Sequence, residues 1–584
     1  MLGLLEYPLN GEAILAKKRA LKKQLLAQEG LVEKKIAILS GSTIGEFKNI
    51  LEIFLLYRGI KPVFFEGQYG MFFEDAVFSE ELRAFAPDIV YFHTSNKNIN
   101  AFPEPGFSDE EREALLQSEY SRFEKAWQSL SCVIIQNNFE ALDYRLMGNM
   151  DSIHKNGRNR FIARLNALFG EYQEKHEGFY INDINYLAAS FGLDKWHDRT
   201  AWYLYKYLCT LPAIPHICDS LSKIIKAIYG KNKKSMAIDL DNTLWGGVIG
   251  DDGVSGIALG KESPQGMVYA DLQDYIKTLG QMGISLNICS KNEEAAALSG
   301  FTHPSSILKK EDFILIKANW EPKSENIASI AKELNIGLDS VVFFDDNPAE
   351  RQIVRGFNPE VEAPELTEAE DFLRILDRKG YFETIRLMKD DLIRNEAYRG
   401  NIKRQAQQAA FTDYGEYLRS LAMRCRIEDF GGGNIARVTQ LINKTNQFNF
   451  TTWRLSEAEV LDLAEDPNRI SFAAALEDRF GDNGIVGILS AEIMEDTADI
   501  SLFLMSCRVF KRDLENVMLQ ELILRLREKG VKKLIGRYIP TAKNVIIKDF
   551  YPKFGFETTE EEGRYVLDIA GYEAKNYAME IIRK

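Results

Sequence analysis

The string KKIAILSGSTIGEFKNILEIFLLYRG, residues 34–59, passes from an apolar strand through a turn of small residues into an amphipathic helix. A strand apolar on both faces must be covered on both faces, which is the habit of parallel sheets flanked by helices. Three more apolar runs follow, KPVFFEG, PDIVYFHTS and SCVIIQNNFE, and a helix-rich stretch closes the unit over roughly 183–228. This alternation predicts a doubly wound α/β domain.

The same signal restarts at residue 235. SMAIDL is followed by a helix, GISLNICS, a helix, DFILIKANW, a helix and SVVFFDDNP, ending near residue 375. The order then changes. After a charged helical stretch come a helix at 434–446, three successive strands (ISFAAALE, GIVGILSAEIM, ADISLFLMS), a helix at 513–529, VKKLIGRYI and GRYVLDI. Consecutive strands followed by helices predict an α+β unit with an antiparallel start. The expected layout is a leader helix over 1–30 and α/β domains over 31–229 and 230–376. A helical connector over 377–420 and an α+β domain over 421–584 complete it. With 584 residues, several cores are required.

A net charge of −14 and the absence of a basic block argue against nucleic acid or an anionic membrane as partner. No apolar run reaches 18 residues. The start carries Glu6 and Glu12 where a secretory signal needs an apolar stretch. The six cysteines show no C-x-x-C spacing, which fits reduced thiols and a cytoplasmic location.

In a doubly wound sheet, ligands meet the carboxyl ends of the strands. The domain beginning at 235 places Asp239, Asp241 and Thr243 after its first strand and Ser290 after its second. Lys323 precedes a helix, and Asp345 and Asp346 follow the fourth strand. Lys317 is the competing lysine, set aside because it lies on the strand rather than at the helix start. Carboxylates so close to a core require a cation between them, and hard oxygen ligands suit Mg²⁺, whose remaining partner is commonly phosphate. An aspartate can also attack phosphorus to give an aspartyl-phosphate.

D-x-D-x-T, then a strand-end Ser, a Lys and a strand-end D-D resemble the four motifs of the haloacid dehalogenase (HAD) superfamily. DLDNTLWGGVIGDDG and NWEPKSENI…LDSVVFFDDNPAER resemble its FkbH-like, IIIC phosphatase-like branch. The resemblance makes Asp239 the nucleophile and Asp241 the general acid/base, oriented by Thr243. Ser290 and Lys323 would hold the phosphoryl oxygens. Mg²⁺ would be bound by Asp239, Asp345 and the carbonyl of Asp241, with Asp346 directly or one shell out. GGVIGDDGVSGIALG is expected to be a short hairpin flap, with Asp251 and Asp252 at its tip, too far out to bind metal. No room remains for a cap domain. FkbH-like proteins load a glyceryl group from a glycolytic bisphosphate onto an acyl carrier protein with loss of phosphate, so the resemblance implies such a carrier and a phosphorylated small acid.

The first domain resembles SGNH hydrolases, in which a serine follows the first strand and a D-x-x-H pair comes late. Here AILSGSTIGE offers Ser42 (or Ser40), and DKWH offers Asp194 and His197, with Asn96 and Gly70 as oxyanion donors. The usual G-D-S turn reads G-S-T, which puts Ser42 on the Asp position and Thr43 on the Ser position. The last domain resembles GNAT acyltransferases, whose R/Q-x-x-G-x-G/A loop cradles the pyrophosphate of coenzyme A. Its loop here, Arg508–Val509–Phe510–Lys511–Arg512–Asp513, carries Lys511 and Asp513 on the glycine positions, while Asn544 and Tyr551 stand in place. Acetyl-CoA or a phosphopantetheine arm are the ligands the resemblance implies, and Cys507 is a candidate acyl carrier. Three readings result: a HAD enzyme coupled to acyl transfer, a plain phosphatase of a sugar or acid phosphate, and a carrier-binding scaffold with degenerate outer domains.

Overall fold

A computed structural model describes residues 1–584 apart from Ala409 and Ala542 and the side chains of Asp390 and Cys507. The chain divides into two compact units, Met1–Lys226 (with Ser456–Ala458) and Ala227–Lys584 without that tripeptide.

The first unit is built on five parallel strands: β1 Val32–Ser40, β2 Ile60–Glu66, β3 Ile89–His93, β4 Val133–Asn137 and β5 Phe179–Asn182, in the order β2-β1-β3-β4-β5. The second half of β1, Ile36–Ser40, is wholly buried, as a strand covered on both faces must be. An aromatic cluster of Phe123, Trp127, Phe139 and Phe169 fills one side. The leader helix, Gly11–Leu26, starts at an Asn10 cap and buries Ile14, Leu21 and Leu25. Lys18 and Lys22 pair with Glu46 and Glu52 of the helix after β1, at 2.6 and 2.5 Å. A Cβ on Gly11 would lie 2.1 Å from the Pro212 carbonyl oxygen. The leader is therefore a layer of this unit, not a separate element.

The second unit opens on four parallel strands, β6 Ser235–Ile238, β7 Ser285–Ser290, β8 Leu315–Ala318 and β9 Val341–Phe344, ordered β8-β7-β6-β9. Every residue of β6, β7 and β9 is buried. At roughly 1.5–3 kcal/mol per large apolar side chain removed from water, these short strands anchor the loops that leave them. Strand order reverses around β6, so its carboxyl end opens on the crevice where such sheets bind ligands.

The rest of this unit is a mixed sheet of β10 Met423–Asp429, β11 Phe448–Asn449, β12 Arg469–Asp478, β13 Gly481–Met494, β14 Thr497–Met505, β15 Lys533–Arg537, β16 Glu557–Thr558, β17 Arg564–Asp568 and β18 Met579–Arg583. Its path is β16-β17-β15-β14-β13-β12-β10-β18, with β11 joined to β14. The antiparallel run β12–β13–β14 matches expectation. The edge pair β10 and β18, parallel to each other, was not read from the sequence. MRCRIED and MEIIR lack a long apolar run because each has one solvent-facing side. The connector helix Arg394–Gln408 is bolted to this sheet: Arg404 clasps the buried Asp478 with both arms, at 2.6 and 2.7 Å. No described helix is long and apolar enough to cross a membrane.

Candidate active site

The carboxyl ends of β6, β7 and β9 deliver the expected residues to one place. Asp239 follows β6 directly, Ser290 ends β7, and Asp345 and Asp346 follow β9. Lys323 is the first residue of the helix Lys323–Leu334. Its ammonium lies 2.9 Å from Asp239 Oδ1 and 2.5 Å from Asp345 Oδ2, and all three groups are more than nine-tenths buried. Lys317 instead pairs with Glu333 at 2.6 Å, which settles the choice between the two lysines.

Oxygens of Asp239, Asp345 and Asp346 lie within 4.8 Å of one another. Three carboxylates and one ammonium leave a formal charge of −2 inside the protein. Burial pushes Asp239 up to about 6, helped by Asp345 and opposed by Lys323 and Ser290. Burial also raises Asp345 and Asp346. For Lys323 burial works against the charge, but Asp239 and Asp345 outweigh it and hold the ammonium above its ordinary range. Burial raises the carboxylates and their mutual repulsion adds to it, while the same negative charge holds Lys323 up. A divalent, oxygen-seeking cation would make up the deficit, so the residues fit Mg²⁺.

One role differs from expectation. Thr243 does not orient Asp241. Its hydroxyl donates to Asp346 Oδ1 at 3.0 Å and accepts from the Asp346 amide at 3.2 Å, tying the ends of β6 and β9 together. The carboxylate of Asp241 stands outside the metal-competent trio, and its partners are ones the sequence reading missed. Oδ1 accepts from Trp245 Nε1 and the Ile249 amide, both at 2.9 Å, and Oδ2 from Asn292 Nδ2 at 2.8 Å. Asn292 carried a legible signal, since two residues beyond a strand end an extended chain aims the same way as Ser290. Arg351 was also missed; it donates to the carbonyls of Asp345 and Asp346 at 2.8 and 2.7 Å and holds that turn.

The flap is not a hairpin. Apart from the Gly246–Ala258 bridge it is a pair of helical turns over Ile249–Gly256, broken at Gly253 (φ 64°, ψ 176°). Gly247, at φ 97°, makes the turn into it, and Asp252 accepts from the Val248 amide at 2.8 Å. Asp252 is thus a cap rather than a ligand, and Asp251 is exposed.

In the first unit the expected triad does not assemble. No hydrogen bond among the described residues links Ser42, His197 and Asp194. His197 Nε2 lies 3.1 Å from the Ala141 carbonyl oxygen, and Asp194 is exposed. Asn96 Nδ2 is spent on the carbonyls of Glu140 and Ala141, at 3.2 and 3.3 Å, and the Gly70 amide on the Ser40 carbonyl at 3.0 Å. Thr43 donates to the Tyr205 carbonyl at 2.6 Å, and Ser40 donates to the Ser42 carbonyl. Ser42 Oγ is buried without a partner among the described residues. The Glu140 carboxyl is fully buried and accepts from the Asn96 amide at 3.4 Å; burial pushes it up to about 7, opposed in part by the Asn96 amide, the Lys97 charge and Trp196.

The loop after β14 does not suit coenzyme A. Lys511 and Asp513 both adopt positive φ, 59° and 61°, so the backbone keeps a glycine-like path while side chains occupy it. Arg512 is buried and committed to Asp478 at 3.1 Å and Asn401 at 2.6 Å. Tyr414 Oη donates to the Lys511 carbonyl. Strands β14 and β15 pair over only Thr497–Asp499 and Lys533–Ile535 before parting. The open edge of β14 that an extended amide arm would pair with is taken by β11 and by the Phe450 amide on Phe503 O, at 3.1 Å. Asn544 donates to the Asn449 and Ile539 carbonyls, both at 2.9 Å, and Tyr551 is buried. Asn544 thus clamps the backbone, whereas the Tyr551 hydroxyl is buried without a partner among the described residues. Arg508 is buried with its Nε 3.3 Å from Ser506 Oγ. The side chain of Cys507 lies outside the described residues.

Comparison with known proteins agrees with the central site. Residues 35–226 match the FkbH N-terminal domain family. The structure resembles the N-terminal part of BF1531 from Bacteroides fragilis, described as containing a phosphatase domain complexed with Mg. Identity is 28%, covering 63% of this chain and 99% of that one, with a TM-score of 0.59. Low-scoring likenesses include the ribosomal-protein-S18-alanine N-acetyltransferase of Escherichia coli (15% identity, 26% of this chain, 99% of that one, TM-score 0.20). Another is the GNAT domain of S. lividans PAT (17%, 24% and 89%, TM-score 0.21). No curated protein matches. Residues 35–226 thus match an FkbH N-terminal domain, and the fold is similar to that of a protein containing a phosphatase domain.

Proposed function

We propose that the central domain is a Mg²⁺-dependent HAD phosphatase acting on a phosphorylated small acid. In this reading the Asp239 site first removes the ester phosphate of a bisphosphorylated small acid; the thiolate of an acyl carrier protein then attacks the acyl carbon and expels the second phosphate, which leaves a glyceryl-type thioester for polyketide or polysaccharide precursors. The observation that carries the phosphatase reading is Lys323 wedged between Asp239 and Asp345, with Asp346 alongside, at the switch point of a parallel sheet.

An Asp239 oxygen attacks phosphorus, and the leaving oxygen departs with the bonding electrons. Lys323 and Ser290 face the same carboxylate and hold the transferring oxygens. Asp241 gives the leaving oxygen its proton and later takes one from the incoming water. Mg²⁺, bound by Asp239, Asp345 and Asp346, would offset the negative charge of phosphate and carboxylates. Among the described residues, no hydrogen-bonded nucleophile–base pair is formed on the first domain's turn, and the last domain's loop carries side chains where a ligand cradle would need bare backbone. The SGNH-like and GNAT-like features then describe layout rather than activity.

The test is incubation with Mg²⁺, a bisphosphoglycerate and a pantetheinylated carrier, reading carrier mass and released phosphate. Both should appear, and Asp239→Asn should lower both by at least about 10³-fold. Carrier loading that survives Asp239→Asn overturns the mechanism. Phosphate without loading supports a plain phosphatase, and no Mg²⁺-dependent turnover leaves the scaffold reading.

A further inference from the structure

The carboxylate of Asp241 is the hub of its own loop. The segment from Asp241 to Ile249 winds back so that Trp245 Nε1 and the Ile249 amide both reach Oδ1, and Asn242 Oδ1 accepts from the Gly247 amide at 2.9 Å. The Trp245 ring is fully buried and meets Phe301 edge-on, with centroids 5.5 Å apart. A Cβ on Gly300 would come within 2.6 Å of its Cη2. This indole cannot turn away without moving its surroundings. Asn292, 7% exposed, comes from a different strand end and reaches the other oxygen.

A carboxylate oxygen has two lone pairs in its plane. Oδ1 accepts two hydrogen bonds and is saturated. Oδ2 accepts one and keeps one lone pair. We propose that Trp245 and the Ile249 amide, by saturating Oδ1, leave Asp241 Oδ2 as the oxygen that carries the catalytic proton, and that Asn292, bonded to Oδ2, is a positioning group that fixes the rotation of the carboxylate and so the direction of its one remaining lone pair. The proposal rests on the phosphatase reading above. As the Asp239–phosphorus bond forms and the bond from phosphorus to the leaving oxygen breaks, the proton on Oδ2 passes to that oxygen. In the second half, water adds to phosphorus, its proton passes to Oδ2, and Asp239 is released with inorganic phosphate. The first half matters most when the leaving group is a poor one. An alkoxide needs the proton as it departs, whereas p-nitrophenolate leaves without it.

The experiment compares kcat/KM for glycerol 3-phosphate and p-nitrophenyl phosphate, using the full chain with Mg²⁺ and the variants Asn292→Ala and Trp245→Phe. Because kcat/KM reports events up to formation of the aspartyl-phosphate, the alkyl ester should lose about 10²-fold and the aryl ester less than about threefold. Equal losses on the two esters would show a merely structural role and overturn the inference, as would no loss on the alkyl ester. Thermal melting checks that each variant folds, and Asn292→Ser, which keeps a donor, should recover much of the alkyl activity. Turnover that persists in Asp239→Asn, or no turnover of either ester by the parent, overturns the phosphatase reading itself.

Discussion

The carboxyl end of β6 and the loop after β14 treat charge in opposite ways. At β6, the buried Asp239 and Asp345 share one ammonium, the half-buried Asp346 lies beside them, and the cluster remains two charges short of balance. After β14, the buried Asp478 is matched by two guanidinium groups, Arg404 and Arg512, and Arg512 is further held by Asn401. One region is left incomplete in a way that a cation and a phosphate would complete. The other is finished by the protein's own side chains. The first unit's G-S-T turn is mixed: Thr43 and the Gly70 and Asn96 donors are spent on backbone carbonyls, while Ser42 Oγ is buried without a partner among the described residues. A motif that looks like a site in sequence is one only if folding leaves its polar groups in need of something.

The contrast can be broken at its strongest point by Lys323→Met. Removing the only buried cation between Asp239 and Asp345 should cost about 3–5 kcal/mol of stability without Mg²⁺. Millimolar Mg²⁺ should restore part of it. Urea unfolding with and without the metal reads both, and a variant as stable as the parent in chelator would show that the cluster carries no charge strain.

Glu140 sharpens the comparison because its burial outweighs the Lys97 charge and the donors around it. Its folded-state value, about 7, lies above the usual 4.5. Its neutral form is therefore favoured in the fold, and stability should fall as pH rises from 4.5 through 7. Glu140→Gln should match the parent near pH 4 and exceed it by roughly 2 kcal/mol at pH 8. Equal stability of the two chains at pH 8 would mean that the carboxyl finds a partner when ionised. The smallest expected effect concerns coenzyme A. Millimolar acetyl-CoA should leave the melting temperature unchanged, within about 1 °C, where a ligand at 100 times its Kd would add about 2.7 kcal/mol. A clear upward shift would mean that the loop opens and that the last domain is not finished by its own side chains.

Much of this was legible in residue order. The α/β alternation gave both parallel sheets because strands buried on two faces cannot hide their apolar runs. Asp239, Ser290, Lys323 and Asp345–Asp346 were legible because a strand end followed by a helix start fixes where a side chain emerges, whatever lies between. The flap was misread because GGVIGDDGVSGIALG is rich in glycine, which signals a turn without specifying hairpin or helix. Edge strands β10 and β18 were missed because a half-exposed edge lacks a continuous apolar run. The partners of Asp241 could not be paired in advance, since Trp245 and Asn292 come from two loops and meet only through packing.

Local pattern was enough to say where chemistry-bearing residues leave the sheets, because periodicity and strand ends are properties of neighbouring residues. Only the folded chain could say which of those residues remain unsatisfied. Hydrogen bonds such as Thr43 to Tyr205, Asn544 to Asn449 and Arg512 to Asn401 join residues far apart in sequence. Whether a polar group is spent on the protein or left for a ligand depends on those long-range partners.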